Sequence, residues 1–266
     1  SPPTRPKRAR AVQLALGDAH TCALFSDGTV RCWGLGADGR LGLGNTTSVG
    51  DDESAASVGP VDLGGKATAV TAGDMHTCAL LDSGHVRCWG RGKEGQLGHG
   101  RPDSIGDDET PATAGDVPLS EVVTAIAAGG HATCALLASG DAVRCWGDNK
   151  EDRLGYGGRR HGNLGDDEPI EAWKPFRFKR KVAQLASNVA CSCVLFTDGA
   201  VRCWGAVLGS MDDPAPAADG PEVDIGAPVA KLSLMPTSGD GCVITKSERA
   251  RCWGTAFARY TENSHV

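Results

Sequence analysis

The feature that most constrains the fold of this sequence is a pair of cysteines that recurs in five segments. In each segment the second cysteine lies ten or eleven residues after the first and is followed by Trp-Gly. These tryptophans recur every 49 to 58 residues, so the chain is built from repeated units of one kind. The five pairs are Cys22 and Cys32, Cys78 and Cys88, Cys134 and Cys145, Cys193 and Cys203, and Cys242 and Cys252.

Each pair has the spacing of a β-hairpin. In the first unit a three-residue loop over 26–28 sets Cys22 opposite Cys32, and Gly28 takes the left-handed position that such a loop requires. Directly opposed Cβ atoms lie roughly 4.5–5.5 Å apart, at the upper edge of disulfide reach. Zinc sites favour pairs of cysteines with two to four residues between them, and this chain has no such pair. Disulfides are therefore the favoured interpretation, and bound metal is the alternative.

Disulfides indicate an oxidising compartment, because the cytosol keeps thiols reduced. We therefore expect an extracytoplasmic protein that is secreted, periplasmic or on the cell surface. The first ten residues lack the apolar segment of a signal peptide. No apolar run approaches the roughly 18–20 residues needed to cross a bilayer, so we expect no transmembrane segment. The formal net charge of −6 argues against nucleic acid as a partner.

Two further apolar segments accompany most hairpins. One lies just before the hairpin, as at residues 67–70, and a shorter alternating run lies further upstream, as at residues 61–63. Repeated four-stranded units of about 50 residues form the blades of a β-propeller. We predict an all-β propeller of about five four-stranded blades, each with one disulfide-bridged hairpin, closed into a ring by the N- and C-terminal segments. One domain over 1–266 divides into repeats at approximately 11–58, 59–114, 115–172, 173–220 and 221–266.

Glycine-rich segments follow the first two hairpins. Leu-Gly-Ala-Asp-Gly-Arg-Leu-Gly-Leu-Gly spans 35–44, and Arg-Gly-Lys-Glu-Gly-Gln-Leu-Gly-His-Gly spans 91–100. With the His-Thr-Cys-Ala-Leu and Val-Arg-Cys-Trp-Gly segments, they resemble the regulator-of-chromosome-condensation repeat family, in the cysteine-rich form of secreted bacterial proteins. The resemblance covers nearly the whole chain, although repeats four and five lack the Gly-Gln-Leu-Gly segment.

The resemblance implies a propeller that usually has seven blades. Five copies of about 53 residues fill this chain, which is either a five-bladed ring or an incomplete set of blades. The best-known family member is a small-GTPase exchange factor. That activity is cytosolic or nuclear, where five disulfides do not persist, so we do not expect it here. A secreted inhibitor of β-lactamases has a related propeller, and enzyme inhibition is therefore an alternative function.

Three acidic triplets recur with the repeats, each after a glycine. Three carboxylates on one turn can supply part of the oxygen shell of Ca²⁺, although no EF-hand loop is present. The favoured interpretation is a solvated turn whose aspartate caps backbone N–H groups, and a calcium-binding adhesion module is the alternative. The triplets are Asp51-Asp52-Glu53, Asp107-Asp108-Glu109 and Asp166-Asp167-Glu168.

Several single residues stand out beside the cysteine pairs. His20, His76 and His131 occupy similar places near the first cysteine, where a ring of histidines could bind metal, although such a residue more often satisfies a backbone group between blades. An arginine precedes the second cysteine of every repeat, and its five copies indicate an architectural role. Cys191 is the odd cysteine and is expected to be unpaired and buried, with an intermolecular disulfide as the alternative.

The basic cluster of the repeats spans residues 174–181 and aligns without a gap to residues 59–66. Phe176 and Phe178 are then core residues, and the neighbouring cations face outward. This alignment leaves the excess positive charge unexplained, so we predict a surface that contacts a partner. Its residues are Trp173, Lys174, Arg177, Lys179 and Arg180.

No sequence motif for hydrolysis, redox or phosphoryl chemistry is present. The candidate carboxylates recur once per repeat, as scaffolding does and a single active site does not. We predict a non-catalytic, extracytoplasmic protein-interaction scaffold with protein partners and no cofactor. Membership of a larger envelope or extracellular complex is one form of this prediction. A GTPase exchange factor and an enzyme are the less favoured alternatives.

Overall fold

The fold is described from a computed structural model, over residues 9–157, 162–206, 217–235 and 240–254. One four-residue helix, α1 (Pro111–Ala114), and three short 3-10 turns lie in connections between strands. No helix in these ranges has the length and apolar character needed to cross a bilayer. The strands are β1 (Ala11–Leu16), β2 (His20–Phe25), β3 (Val30–Gly34), β4 (Ala67–Ala72), β5 (His76–Leu81), β6 (Val86–Gly90), β7 (Val123–Gly129), β8 (Ala132–Leu137), β9 (Ala142–Gly147), β10 (Phe176–Arg177), β11 (Val182–Ser187), β12 (Cys191–Phe196), β13 (Val201–Gly205), β14 (Val229–Leu234), β15 (Gly241–Thr245) and β16 (Ala250–Trp253).

The strands form five antiparallel sheets, which we number in chain order. Sheet 1 is β1–β3, sheet 2 is β4–β6, sheet 3 is β7–β10, sheet 4 is β11–β13 and sheet 5 is β14–β16. The first three strands of every sheet follow one another as a meander. The all-β prediction is confirmed. Four strands were predicted for each unit, and among the described residues only sheet 3 has four.

The second and third strands of each sheet pair in the predicted register. In sheet 1, Cys22 lies opposite Cys32 and Leu24 lies opposite Val30. Gly28 closes the loop with a φ of +84°, which a residue with a side chain rarely adopts. The turn chemistry and the alternation of buried residues therefore specify the same pairing.

The five predicted cysteine pairs are all disulfides in the structure. The two Cα atoms of each pair are 4.0 to 4.1 Å apart. Closing a loop of this length stabilises the folded state by about 2–3 kcal/mol in the chain-entropy model. Each bridge joins two strands of the same sheet, so it fixes the shape of that sheet without linking it to another. In order of sheets 1 to 5, Cys22 is bonded to Cys32, Cys78 to Cys88, Cys134 to Cys145, Cys193 to Cys203 and Cys242 to Cys252.

One of these hairpins has a longer loop than the others. Cys134 and Cys145 are 11 residues apart, whereas the other pairs are 10 apart, yet they lie directly opposite each other on β8 and β9. The extra residue is therefore absorbed in the loop, as the sequence predicts. In sheet 5 the ladder likewise sets Cys242 opposite Cys252.

The short apolar runs upstream of the hairpins lie in a different place from the one predicted. The Val61 N–H donates to the Val30 carbonyl at 2.8 Å, so this run lies along the outer edge of sheet 1, not in the sheet that follows it. In sheet 3 the run is a true strand, β10, whose Phe176 pairs with Val143. The prolines beside these runs suit an outer edge, because a proline cannot donate to a strand ladder. Sheets 1 to 4 are therefore completed by residues that the sequence analysis assigned to the next repeat, and the segment after sheet 5 lies outside the described residues.

An arginine on the third strand holds the chain that leads to this outer run. Arg31 Nη1 donates to the Val58 carbonyl at 2.7 Å, and Arg144 Nη1 donates to the Ile170 carbonyl at 2.7 Å. The equivalent arginines of sheets 4 and 5 also donate to backbone carbonyls. A guanidinium that leaves water needs such acceptors. The repeated arginine therefore has an architectural role, as expected.

Neighbouring sheets pack face to face in chain order. The first strands β1, β4, β7, β11 and β14 contact one another in that sequence. A disulfide of one sheet and a tryptophan of the next lie in each junction. Trp89 and Trp146 are fully buried, and their indole N–H groups donate to the carbonyls of Arg40 at 3.1 Å and Gln96 at 3.0 Å. The predicted closure of the ring falls on segments 1–8 and 255–266, which lie outside the described residues, and it stays a prediction.

Candidate functional site

Two histidines sit inside the junctions between sheets. His20 Nε2 lies 2.8 Å from Thr77 Oγ1, and His76 Nε2 lies 2.8 Å from Thr133 Oγ1. Burial lowers the pKa of His20 to about 4, with help from the Arg40 charge, and lowers the pKa of His76 to about 3. Both imidazoles are therefore neutral near pH 7 and link one sheet to the next through a buried hydrogen bond.

His131 does not occupy the position of the other two histidines, which corrects the sequence alignment. Ala132 takes that place, opposite Gly147 at the end of β9. The reason is that His131 lies three residues before Cys134, whereas His20 and His76 lie two residues before Cys22 and Cys78, so His131 falls in the turn before β8. The three histidines therefore do not form a ring of equivalent side chains.

His131 instead belongs to a charged cluster that the sequence analysis missed. Its Nδ1 lies 3.5 Å from Glu94 Oε2, and its Nε2 lies 3.9 Å from Asp74 Oδ2. Arg91 Nη2 approaches Glu94 Oε1 at 2.9 Å, and buried Gln96 donates to Glu94 Oε2 at 3.0 Å. The cluster lies at the junction of sheets 2 and 3. The sequence offered one sign of this cluster, because the glycine-rich loop of each of the first two repeats contains an acidic residue.

The second and third acidic triplets lie in turns that pack on the glycine-rich loop of the preceding sheet. A Cβ atom at Gly39 would lie 2.4 Å from the Asp107 backbone nitrogen, and one at Gly95 would lie 2.6 Å from that of Asp166. Glycine is therefore needed for this close approach of two backbones. The first triplet, 51–53, is exposed. The repetition of the triplets thus has a packing explanation in the second and third copies.

The carboxylates of each triplet are nevertheless close together. One oxygen from each of the three residues lies within 4.8 Å of the others in every triplet. Burial, aided by Asp167, raises the pKa of Glu168 to about 7, and burial and Asp108 raise the pKa of Glu109. Crowded carboxylates hold protons more tightly, whereas a bound divalent cation reverses that tendency. Calcium binding stays an alternative prediction.

The predicted partner-contact residues lie on and around β10. Phe176 and Phe178 are buried, with ring centroids 5.6 Å apart. Arg177 pairs with Asp141 at 3.2 Å. Arg180 pairs with Asp198 at 3.0 Å, and its guanidinium lies 4.1 Å from the centre of the Phe196 ring. Both arginines are therefore engaged within the protein, and much of the excess positive charge is neutralised.

Trp173 is also partly committed to the fold. Its ring meets Tyr156 edge to face at 5.0 Å, and its carbonyl accepts from Arg144. Lys174 and Lys179 are exposed, and neither forms an ion pair with a described residue. Of the five predicted contact residues, these two lysines are the ones that leave a cation in solvent.

Cys191 is unpaired and buried. It occupies the hairpin position of His20 and His76, opposite Gly205, and its N–H donates to Asn188 Oδ1 at 2.8 Å. Burial raises the pKa of its thiol to about 11. A thiol is a weak nucleophile until it loses its proton, so this position suits packing and not catalysis.

Comparison with known proteins identifies the type of repeat in this chain. Residues 11–40, 67–96 and 123–152 match the regulator of chromosome condensation (RCC1) repeat, as do residues 27–80 and 83–136. Over 202 residues the chain is 31% identical to the E3 ubiquitin-protein ligase HERC2 of Homo sapiens. That match covers 74% of this chain and only 4% of HERC2.

Two solved structures share the fold. Human WBSCR16 superposes with a TM-score of 0.72 at 21% identity, over 96% of this chain and 64% of that one. Yeast RCC1 (Prp20), crystallised with Kap60 bound, gives a TM-score of 0.64 at 18% identity, over 91% of this chain and 55% of that one. The residues that match the repeat include the cysteine hairpins and glycine-rich loops that form sheets 1 to 3 and their junctions. The chain belongs to the regulator of chromosome condensation (RCC1) repeat family.

Proposed function

We propose that this chain is a non-catalytic, extracytoplasmic scaffold that binds other proteins. The observation that carries the proposal is that every sheet has a disulfide at the same place in its hairpin. Disulfides used so regularly persist in oxidising compartments. Sheets stiffened in this way present their connecting loops in fixed positions, which is the requirement for a binding platform.

The chemistry of the candidate groups favours binding over catalysis. The buried histidines are neutral and occupied by threonine hydroxyls, and Cys191 holds its proton. The acidic triplets repeat with the sheets, as architecture does. A catalytic centre needs a nucleophile or base that reaches a substrate, whereas the histidines His20 and His76 are hydrogen-bonded and buried and Cys191 is buried.

The partner surface that we propose is the outer face of β10 and the segments on either side of it. Lys174 and Lys179 leave two cations in solvent there, beside the paired arginines Arg177 and Arg180 and the half-buried Trp173. A partner with an acidic surface complements this patch, and an aromatic ring next to cations is typical of protein interfaces. The binding of Kap60 by yeast RCC1 supports a protein partner for this fold.

Thiol counting tests the compartment. Protein isolated from its native source without reductant and then denatured is expected to show one free thiol per chain, that of Cys191. The compartment proposal fails if all 11 cysteines are free.

Partner recovery tests the surface. We expect the double variant K174E/K179E to recover less of the proteins that co-purify from the native envelope or culture fraction. Lys93 is also exposed and lies in the glycine-rich loop of repeat two, so K93E is the control and is expected to recover them normally. Equal recovery by both variants would discard this surface.

A further inference from the structure

His131 faces two carboxylates, one beside each of its ring nitrogens. Its Nδ1 lies 3.5 Å from Glu94 Oε2, and its Nε2 lies 3.9 Å from Asp74 Oδ2. His131 belongs to the turn that leads into β8 of sheet 3. Asp74 lies in the turn between β4 and β5, and Glu94 lies in the glycine-rich loop after β6, so both carboxylates belong to sheet 2. The imidazole therefore spans the junction between the two sheets.

The neutral and protonated forms of this side chain suit the two carboxylates differently. A neutral imidazole has one N–H, so one of its nitrogens presents a lone pair to a carboxylate and two acceptors face each other. An imidazolium has two N–H groups and a positive charge, and it suits both carboxylates. The Nδ1 atom of His131 is inaccessible to water and forms no hydrogen bond with a described residue. Solvent therefore does not replace the missing donor at this nitrogen.

Glu94 is held in place by sheet 2, whatever the charge of His131. Its Oε1 pairs with Arg91 at 2.9 Å, and its Oε2 accepts from Gln96 Nε2 at 3.0 Å. The Glu94 N–H also donates to Gln96 Oε1 at 2.9 Å. Gln96 is fully buried, and its amide loses these bonds if it turns away. The carboxylate that faces the histidine is therefore fixed before the histidine takes up a proton.

The turn that carries His131 is fixed through its backbone. The Asp74 N–H donates to the Gly130 carbonyl at 2.9 Å, and the Asp148 N–H donates to the His131 carbonyl at 2.9 Å. These bonds do not change between acidic and neutral pH, because backbone amides do not titrate there. The ring is therefore the part of this turn whose interactions depend on its proton.

The charged groups around the His131 ring leave one negative charge uncompensated. They come from the β4–β5 turn, from the glycine-rich loop of repeat two and from the corresponding loop of repeat three. In the last of these, Arg153 pairs with Asp148 at 3.2 Å, and a Cβ atom at Gly130 would lie 3.3 Å from Arg153 Nη1. The groups are the carboxylates of Asp74, Glu94 and Asp148 and the guanidinium groups of Arg91 and Arg153. A proton on the ring neutralises this cluster.

His76 is the other titratable group of this junction and is packed inside it. Burial lowers the pKa of His76 to about 3, and the charge of His131 adds to that effect. His76 therefore stays neutral, 2.8 Å from Thr133 Oγ1, over the range in which a histidine ordinarily changes charge. A proton added in that range is taken up outside the core of the junction.

We propose that His131 is a pH-sensitive brace between sheets 2 and 3. Its protonated ring joins Glu94 and Asp74 across the junction, and loss of the proton releases one of the two carboxylates. The brace contributes stability in mildly acidic solution and loses it as the pH rises. The two histidines of this junction thus respond to acid in opposite directions. The inference goes beyond the proposed function, since it depends neither on the compartment nor on the β10 surface.

Double-mutant cycles at pH 5.0 and pH 7.5 test the brace. The full-length, oxidised chain is unfolded in urea, and the variants are H131Q, D74N and H131Q/D74N, with a second cycle that uses E94Q. Asp74 has no other ion pair with a described residue, so the first cycle removes little else. We expect each carboxylate to be coupled to His131 by about two- to fivefold in the folding equilibrium constant at pH 5.0. Most of that coupling is expected to be lost at pH 7.5.

Two further variants serve as controls. H131K keeps a positive charge at both pH values, so its coupling to Asp74 is expected to be the same at pH 5.0 and pH 7.5. This variant separates the charge of the ring from its packing. Asp51 is exposed in the first acidic triplet, and D51N is expected to show no coupling to His131 at either pH. Cooperative unfolding at pH 7.5 checks that each variant folds.

Two results would overturn the proposal. Coupling of equal size at both pH values means that the contact of His131 is one of packing or of uncharged hydrogen bonds. Absence of coupling at pH 5.0 in both cycles means that solvent screens the ring from the carboxylates. Failure of the β10 surface in partner recovery leaves all of these measurements unaffected.

Discussion

The junction between sheets 2 and 3 and the junction between sheets 4 and 5 have the same architecture but different chemistry. In the first, buried His76 bonds to Thr133 at 2.8 Å, and the Trp146 indole has a carbonyl acceptor. In the second, Cys191 stands at the histidine position and Gly241 at the threonine position. Two sheets therefore pack on each other when each has its disulfide and an apolar face. The buried hydrogen bond between histidine and threonine adds to this packing but is not required for it.

The two junctions are expected to differ most in how much stability is lost when their tryptophan is removed. Trp146 is fully buried, and Trp253 is half-buried. We expect W146A to lower the free energy of unfolding by about 3–5 kcal/mol, as removal of a large buried side chain does. W253A is expected to cost less, since part of its ring is already in water. Urea denaturation of the two variants measures this, and equal losses would contradict the contrast between the junctions.

Removing a disulfide is expected to lower the stability of the protein equally at both junctions. Cys78–Cys88 and Cys193–Cys203 close loops of the same sequence separation, 10 residues. Replacing either pair by alanine is expected to cost about 2–3 kcal/mol, because the restriction on the unfolded chain is the same. Thermal melts of the two double variants without reductant check this. A much larger loss from one pair would mean that its sulfurs also support the packing between sheets.

Acid is expected to weaken the junction of sheets 2 and 3. Burial holds the pKa of His76 at about 3, below its ordinary value of 6.5, so its contribution is complete above pH 6.5 and is lost as the pH falls towards 3. The loss is about 1.4 kcal/mol for each pH unit within that window. H76Q cannot take up this proton, so its stability is expected to fall less steeply from pH 6.5 to pH 4. Parallel stability curves for the two proteins would contradict this role of His76.

The smallest expected effect is that of calcium. The second and third triplets have a packing role in the junctions between sheets 1 and 2 and between sheets 2 and 3. We therefore expect the thermal midpoint to be the same with added Ca²⁺ and with chelator. A rise on addition of Ca²⁺ that disappears in D107N/D108N would establish the alternative prediction of a calcium site.

The hairpins could be predicted because the residues that determine them lie close together in the sequence. The spacing of Cys22 and Cys32, with Gly28 in the loop, fixes turn type, register and disulfide together. The run at residues 61–63 could not be assigned to a sheet in the same way, because its alternation predicts a strand without saying which neighbour it joins. Only the hydrogen bond of Val61 to Val30 places it on the preceding sheet.

The candidate site was less predictable than the fold. An outward-facing cation at Arg177 follows from alternation, but the acidic partners of Arg177 and Arg180, Asp141 and Asp198, come from hairpin loops elsewhere in the sequence. The position of His131 was available from the sequence, because His131 lies three residues before Cys134 whereas His76 lies two residues before Cys78. Pairings between distant segments therefore account for most of what sequence reasoning missed.

The outer runs of sheets 1 to 4 have a consequence for how this chain can be cut or rearranged. Because Val61 completes the sheet that contains Val30, a break just before residue 59 would separate a strand edge from its partner. The unpaired edge would expose N–H and carbonyl groups that invite aggregation. A break just after residue 63 would instead release a sheet with its edge intact. A segment chosen for deletion or grafting should therefore end after the outer run that completes its last sheet. Repeat boundaries drawn from the cysteine spacing end before that run.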